Sequence, residues 1–66
     1  MIKFVKSESQ FFTDWTDKVN GIRITFDKSE TGYYKYQVQS FNGKVWNKVK
    51  SFHTLREAKN FCKETV

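Results

Sequence analysis

His53 is the only histidine and Cys62 the only cysteine in the 66 residues, so the two side chains best suited to acid–base or nucleophilic work each lack a second copy. His53 lies between Phe52 and Thr54 with no carboxylate pair nearby, which suits a junction residue or partial cap better than a catalytic base. Cys62 follows Phe61 on what reads as the apolar face of a helix. A reactive thiol needs an activating base, and the sequence supplies none beside it. Asp14 and Asp17 would share one face of a helix, but two carboxylates without further oxygen ligands make a poor metal site, and solvation is their expected role. Phe11, Phe12 and Trp15 read as core or dimer-contact residues, and Gly21, Gly32 and Gly43 form no phosphate-cradling loop. The expectation is a protein that is not an enzyme, with no catalytic residue, no metal and no cofactor.

The chemistry that the sequence does support is recognition. The formal net charge is +5, and it is unevenly placed. Charges cancel over residues 1–20, whereas Arg23, Lys28, Lys35, Lys44, Lys48 and Lys50 face only Asp27 and Glu30 between 21 and 53. A basic segment of this kind points to a polyanionic partner. The same segment interleaves its cations with glutamines and aromatic rings. Lysine and arginine neutralise phosphates, glutamine reads base edges, and an aromatic ring stacks on a base. Arg23, Tyr33, Lys35, Gln37, Gln39, Lys44, Trp46, Lys48 and Lys50 are therefore the expected nucleic-acid-binding residues, with duplex DNA the preferred partner.

These residues need elements to present them. A chain this short closes around one core, so residues 1–66 are read as a single domain. With neither disulfide nor metal to staple it, the 18% aromatic content must supply the packing. Ile22 to Phe26 alternates strictly between apolar and polar residues and predicts a strand. Asp27 to Gly32 reads as a loop, Tyr33 to Phe41 as a second strand, Asn42-Gly43 as a tight hairpin turn, and Lys44 to Ser51 as a third strand. Thr54-Leu55-Arg56-Glu57 has the form of a capping box and starts a helix to about Glu64, with Leu55, Ala58, Phe61 and Cys62 on its apolar face.

The expected fold is thus α+β, a three-stranded antiparallel sheet packed on one carboxy-terminal helix over residues 21–66. Residues 1–20 form an amino-terminal extension. There Ile2 to Val5 reads as a short strand, and Ser7 to Gln10 as the cap of a short helix carrying Phe11, Phe12 and Trp15; the alternative is that Phe11 to Trp15 is an irregular segment closing the open end of the core. Alternation places Ile22, Ile24, Phe26, Tyr34, Tyr36, Val38, Val45 and Val49 under the helix. The binding set, with Thr25, then lies on the open face. A single bulge would reverse Trp46 and Asn47.

From Asn20 to Lys63 the chain resembles two related families, the DNA-binding domain of plant ethylene-response factors and the amino-terminal arm-binding domain of phage and transposon integrases. The residues that carry the resemblance are Asn20-Gly21-Ile22-Arg23, Gly32-Tyr33-Tyr34-Lys35-Tyr36-Gln37-Val38, Val45-Trp46, and Ser51-Phe52-His53-Thr54-Leu55-Arg56-Glu57-Ala58. The resemblance implies three strands and a helix, with the open sheet face laid in the DNA major groove, and a small regulator encoded by a phage or mobile element. In the plant family the strands are rich in arginine. Here only Arg23 matches and lysines fill much of the rest, which weighs against bidentate reading of guanine.

A second class of function fits the same residues. The open face or the amino-terminal aromatics would dock on an acidic host protein, as an inhibitor or host-takeover protein does. In either case the expected molecule is a monomer or weak dimer that takes no small-molecule substrate. Met1 to Lys6 lacks the apolar run of a signal peptide and no stretch is long enough to span a bilayer, so the expected location is cytoplasmic and the expected partner is not a membrane.

Overall fold

The computed structural model describes residues 2–65; Met1 and Val66, the ends of the expected domain, lie outside them. The chain forms five strands and one helix: β1 (Val5–Glu8), β2 (Phe12–Asp17), β3 (Ile22–Asp27), β4 (Tyr36–Phe41), β5 (Trp46–Phe52) and α1 (Leu55–Thr65). Each strand pairs antiparallel with its neighbour in sequence, giving one sheet of order β1-β2-β3-β4-β5. The expected three-stranded sheet is therefore corrected to five strands, because residues 5–17 form a hairpin where a short strand and a helix were expected.

Ser9 shows why. Its Oγ accepts the Phe12 amide at 3.1 Å, as a helix cap would, but its own amide donates to the Phe12 carbonyl at 2.8 Å. The same side-chain chemistry here closes a hairpin. The β2 residues that face the core side are Thr13, Trp15 and Asp17, and two of these three are polar, which hides the apolar period of a strand.

Ile22, Ile24, Val38, Ala58 and Cys62 form the buried core, with Ile2, Phe4, Trp15, Tyr36, Phe52, Leu55 and Phe61 packed around it. The helix lies over β3, β4 and β5. Its start is fixed by Thr54, whose Oγ1 accepts the Glu57 amide and donates to Glu57 Oε1, each at 3.2 Å. Ala58 and Cys62, four apart, enter the core together. Burial pushes the Cys62 thiol up to about 11, so at neutral pH it is an apolar filler.

Three residues expected in the core are exposed: Tyr34, Val45 and Val49. Tyr34 precedes β4, where β3 has already ended and no partner strand remains. Val45 belongs to the connection Asn42 to Val45. The expected two-residue turn is four residues long, with Asn42 Oδ1 accepting the amides of Lys44 and Val45 at 2.9 and 3.0 Å and Gly43 at a φ of +100°. Val49 is the extra residue of a bulge, since Val38 pairs Lys50 while Gln39 pairs Lys48.

Asp17 ties the amino-terminal segment to the β2–β3 turn. It is 4% exposed, and its carboxylate accepts the Lys3 amide at 2.9 Å, the Asn20 amide at 3.1 Å and Asn20 Nδ2 at 2.7 Å. These donors, the Lys3 amide foremost, lower its pKa to about 2 from an ordinary 3.8. A carboxyl whose folded pKa is depressed stabilises the fold above its unfolded pKa and loses that contribution as pH falls through the folded one. Thermal melts are expected to show stability falling between pH 4 and pH 2 in the native chain. In Asp17→Asn that fall is shallower and the neutral-pH melting temperature is lower. An unchanged acid limb in the variant would show that Asp17 is not the anchor.

Candidate functional site

Strand pairing decides which side chains share the uncovered face. Two transverse rows cross the sheet there. The first runs Val5, Thr16, Arg23, Gln39 and Lys48; the second runs Ser7, Asp14, Thr25, Gln37 and Ser51. Phe41 and Trp46, paired across the end of the β4–β5 hairpin, border the first row. Their rings are 5.2 Å apart.

Arg23 is the fixed point of this face. Its guanidinium carbon lies 4.4 Å from the centroid of the Trp46 ring. Its Nε donates to Gln39 Oε1 at 2.8 Å and Nη2 donates to the same oxygen. The Gln39 oxygen occupies one edge of the guanidinium and leaves the other edge free to bind an anion. The indole face beneath it favours the cation and restricts its rotation. No ion pair engages Arg23 among the described residues, where both ion pairs use Glu8, with Lys6 at 4.0 Å and Lys28 at 3.7 Å.

The nine expected contact residues separate into three groups. Arg23, Gln37, Gln39, Trp46 and Lys48 share the open face. Trp46 stays there because the bulge falls beyond it, at Val49, and not before it. Lys50 is carried by that bulge to the helix side, opposite the buried Val38, where its Nζ lies 5.4 Å from the Phe52 ring and 6.0 Å from Phe61. This corrects its expected place. Tyr33, Lys35 and Lys44 lie in connections and not in strands. Tyr33 is stacked on His53 with ring centroids 4.0 Å apart, and the His53 Nδ1 lies 3.0 Å from the Tyr33 carbonyl oxygen. His53 therefore holds the β3–β4 connection against the strand-to-helix junction, a positional role.

Residues outside the expected set also reach the face. A groove of about 780 Å³ opens beside Arg23 and Trp46, walled by Val5 and Val19 and bordered by Lys3 and Lys18. Ser7, Asp14, Thr16 and Asp17 line it, the Asp17 carboxylate being already engaged by the Lys3 and Asn20 donors. The sequence signal for Asp14 and Thr16 was the alternation Phe12, Asp14, Thr16, which places them together once residues 12–17 form a strand. Near the middle of the sheet, Thr25 Oγ1 is buried without a hydrogen-bond partner among the described residues, so packing there is closed. The groove is the more open part of the face.

Among the described residues no group of three His, Cys, Asp or Glu side chains converges as a metal site. No helix there is long and apolar enough to cross a membrane. Comparison with family models, with curated proteins and with solved structures gave no match.

Proposed function

We propose that this chain is a non-catalytic nucleic-acid-binding protein whose open sheet face takes the phosphate backbone. The observation that carries the reading is Arg23, held between Gln39 and Trp46 with one guanidinium edge free. Lys48 lies in the same row, and Lys3 and Lys18 border the neighbouring groove. A planar cation with restricted freedom loses less entropy on binding phosphate than a mobile lysine does. Gln37 adds a neutral donor and acceptor on the same face, and Phe41 and Trp46 add rings.

The resemblance of residues Asn20 to Lys63 to integrase arm-binding and ethylene-response-factor domains supports the same class of partner. A phage or mobile-element regulator remains the proposed setting, acting inside the cell.

Fluorescence anisotropy with labelled oligonucleotides at increasing salt tests the reading. With roughly three to five phosphates neutralised, log K is expected to fall against log salt with a slope of about −2 to −4. Binding that does not change with salt would remove phosphate contact as its basis. The exposed Val5, Phe12 and Phe41 on this face favour a second reading, docking on an acidic protein. No oligonucleotide binding at low salt, together with a nuclease-resistant complex with one acidic protein, would establish that reading instead.

A further inference from the structure

Resting on the reading above, we infer that the groove beside Arg23 and Trp46 receives an unpaired base, so that the partner is single-stranded nucleic acid and the base carries an exocyclic amine.

The breadth of the sheet is the first argument. Adjacent strands lie about 4.8 Å apart, so five strands span ~19 Å, while the major groove of a duplex is about 12 Å wide. Three strands fit such a groove; β1 and β2 make the open face too broad to enter whole. The features that a duplex would leave unused are the ones that Lys3, β1, β2 and the β2–β3 turn supply.

The chemistry of the groove is the second argument. Val5 and Val19 are 68% and 95% exposed, and with Trp46 they give apolar walls suited to the flat faces of a base. Lys3, Lys18 and Arg23 surround it, and none of them is in an ion pair among the described residues. The cations complement the phosphates on either side of an inserted nucleotide.

Asp14 is the third argument. A carboxylate in a cationic groove repels phosphate but accepts hydrogen bonds, and cytosine, adenine and guanine each offer it an exocyclic amine. Thymine and uracil offer only a ring N3–H set between two carbonyl oxygens, which a carboxylate repels. Ser7, directly across from Asp14 on β1, and Thr16, two residues along β2 on the same face, both donate and accept. The groove therefore combines phosphate attraction with rejection of bases that offer no amine to Asp14.

The test uses the full chain with labelled oligo(dC), oligo(dT) and a mixed-sequence duplex of equal length, at two salt concentrations. Oligo(dC) is expected to bind roughly 10-fold more tightly than the duplex and several-fold more tightly than oligo(dT). Asp14→Asn presents both an acceptor and a donor and is expected to bring oligo(dC) and oligo(dT) together. Val19→Glu, at a fully open position of the turn, keeps the fold and is expected to weaken single-strand binding about 10-fold while changing duplex binding less. A duplex bound as tightly as the single strands, or equal affinity for oligo(dC) and oligo(dT) in the native chain, overturns the inference and leaves the nucleic-acid reading standing. No binding to any of the three overturns both.

Discussion

Replacing Ile24 by alanine is expected to lower the melting temperature by roughly 10–30 °C, against a change of only a few degrees for Val49→Ala. Both residues read as core in the sequence, yet Ile24 is fully buried and Val49 is 48% exposed. Ile24 sits in the central strand, opposite Trp15 on one side and Val38 on the other, with the helix over it. Ile→Ala in such a place costs about 2–5 kcal/mol, because the lost transfer energy adds to the cavity left behind. At about 0.05–0.15 kcal/mol per residue, a chain of this length has a total stability of only about 3–10 kcal/mol. The variant is therefore expected to be partly unfolded at 37 °C by circular dichroism. Val49 occupies a bulge and is about half exposed, so its truncation leaves little enclosed space. Equal losses for the two would place Val49 in the core rather than in the bulge.

Arg23→Ala is the second large effect, and it is expected in binding. Charge-assisted hydrogen bonds are worth about 1.5–3 kcal/mol, so losing the guanidinium is expected to weaken nucleic-acid affinity roughly 10- to 100-fold. The slope of log K against log salt is expected to become about 1 unit shallower. Lys50→Ala is the matched control. It removes the same charge from the same sheet, but from the helix side, and is expected to change affinity less than ~3-fold. A pattern in which the two variants weaken binding equally would show that net charge, and not the open face, governs association. Arg23→Lys separates charge from geometry. Lysine retains the charge but cannot hold the Gln39 oxygen and a phosphate on two planar edges, so most of the affinity loss is expected to persist.

The elements that could be read from the sequence are those in which local pattern and tertiary environment agree. The strand Ile22–Asp27 alternates because β3 is central and one face is buried. The helix was marked by Thr54 and Glu57 and by Ala58 and Cys62, all four of which act in the structure as their spacing implies. β1 and β2 were hidden because the helix side of β1 carries Lys6 and Glu8, and that of β2 carries Thr13 and Asp17 beside Trp15. An edge strand such as β1, charged on the side that an apolar period would occupy, resists pairing with other molecules, and the same property erases its signature. Tyr33, Tyr34 and Lys35 have the composition of a strand without a partner to make them one.

The candidate site was legible as a set of residue types and only partly as a surface. Arg23, Gln39, Trp46 and Lys48 meet because the β3–β4 register and the position of one bulge allow it, and neither is written in the alternation alone. Lys3, Asp14 and Lys18 join them only through β2, so the error in the amino-terminal segment concealed half of the face.

The order of the strands has a further consequence for how the molecule forms. Every strand pairs with the one before it, and the longest connection, Lys28 to Lys35, is eight residues. Such local pairing keeps loop-closure entropy small, which places the chain at the fast end of β-rich folding. During synthesis the hairpins can zip in the order in which they leave the ribosome. The sheet is then complete while Ile24 and Val38 still face water, and the last 11-residue element closes over them only at the end. Folding in this order passes through a stage in which the whole sheet exists with its apolar face bare, and docking of α1 is the event that covers it.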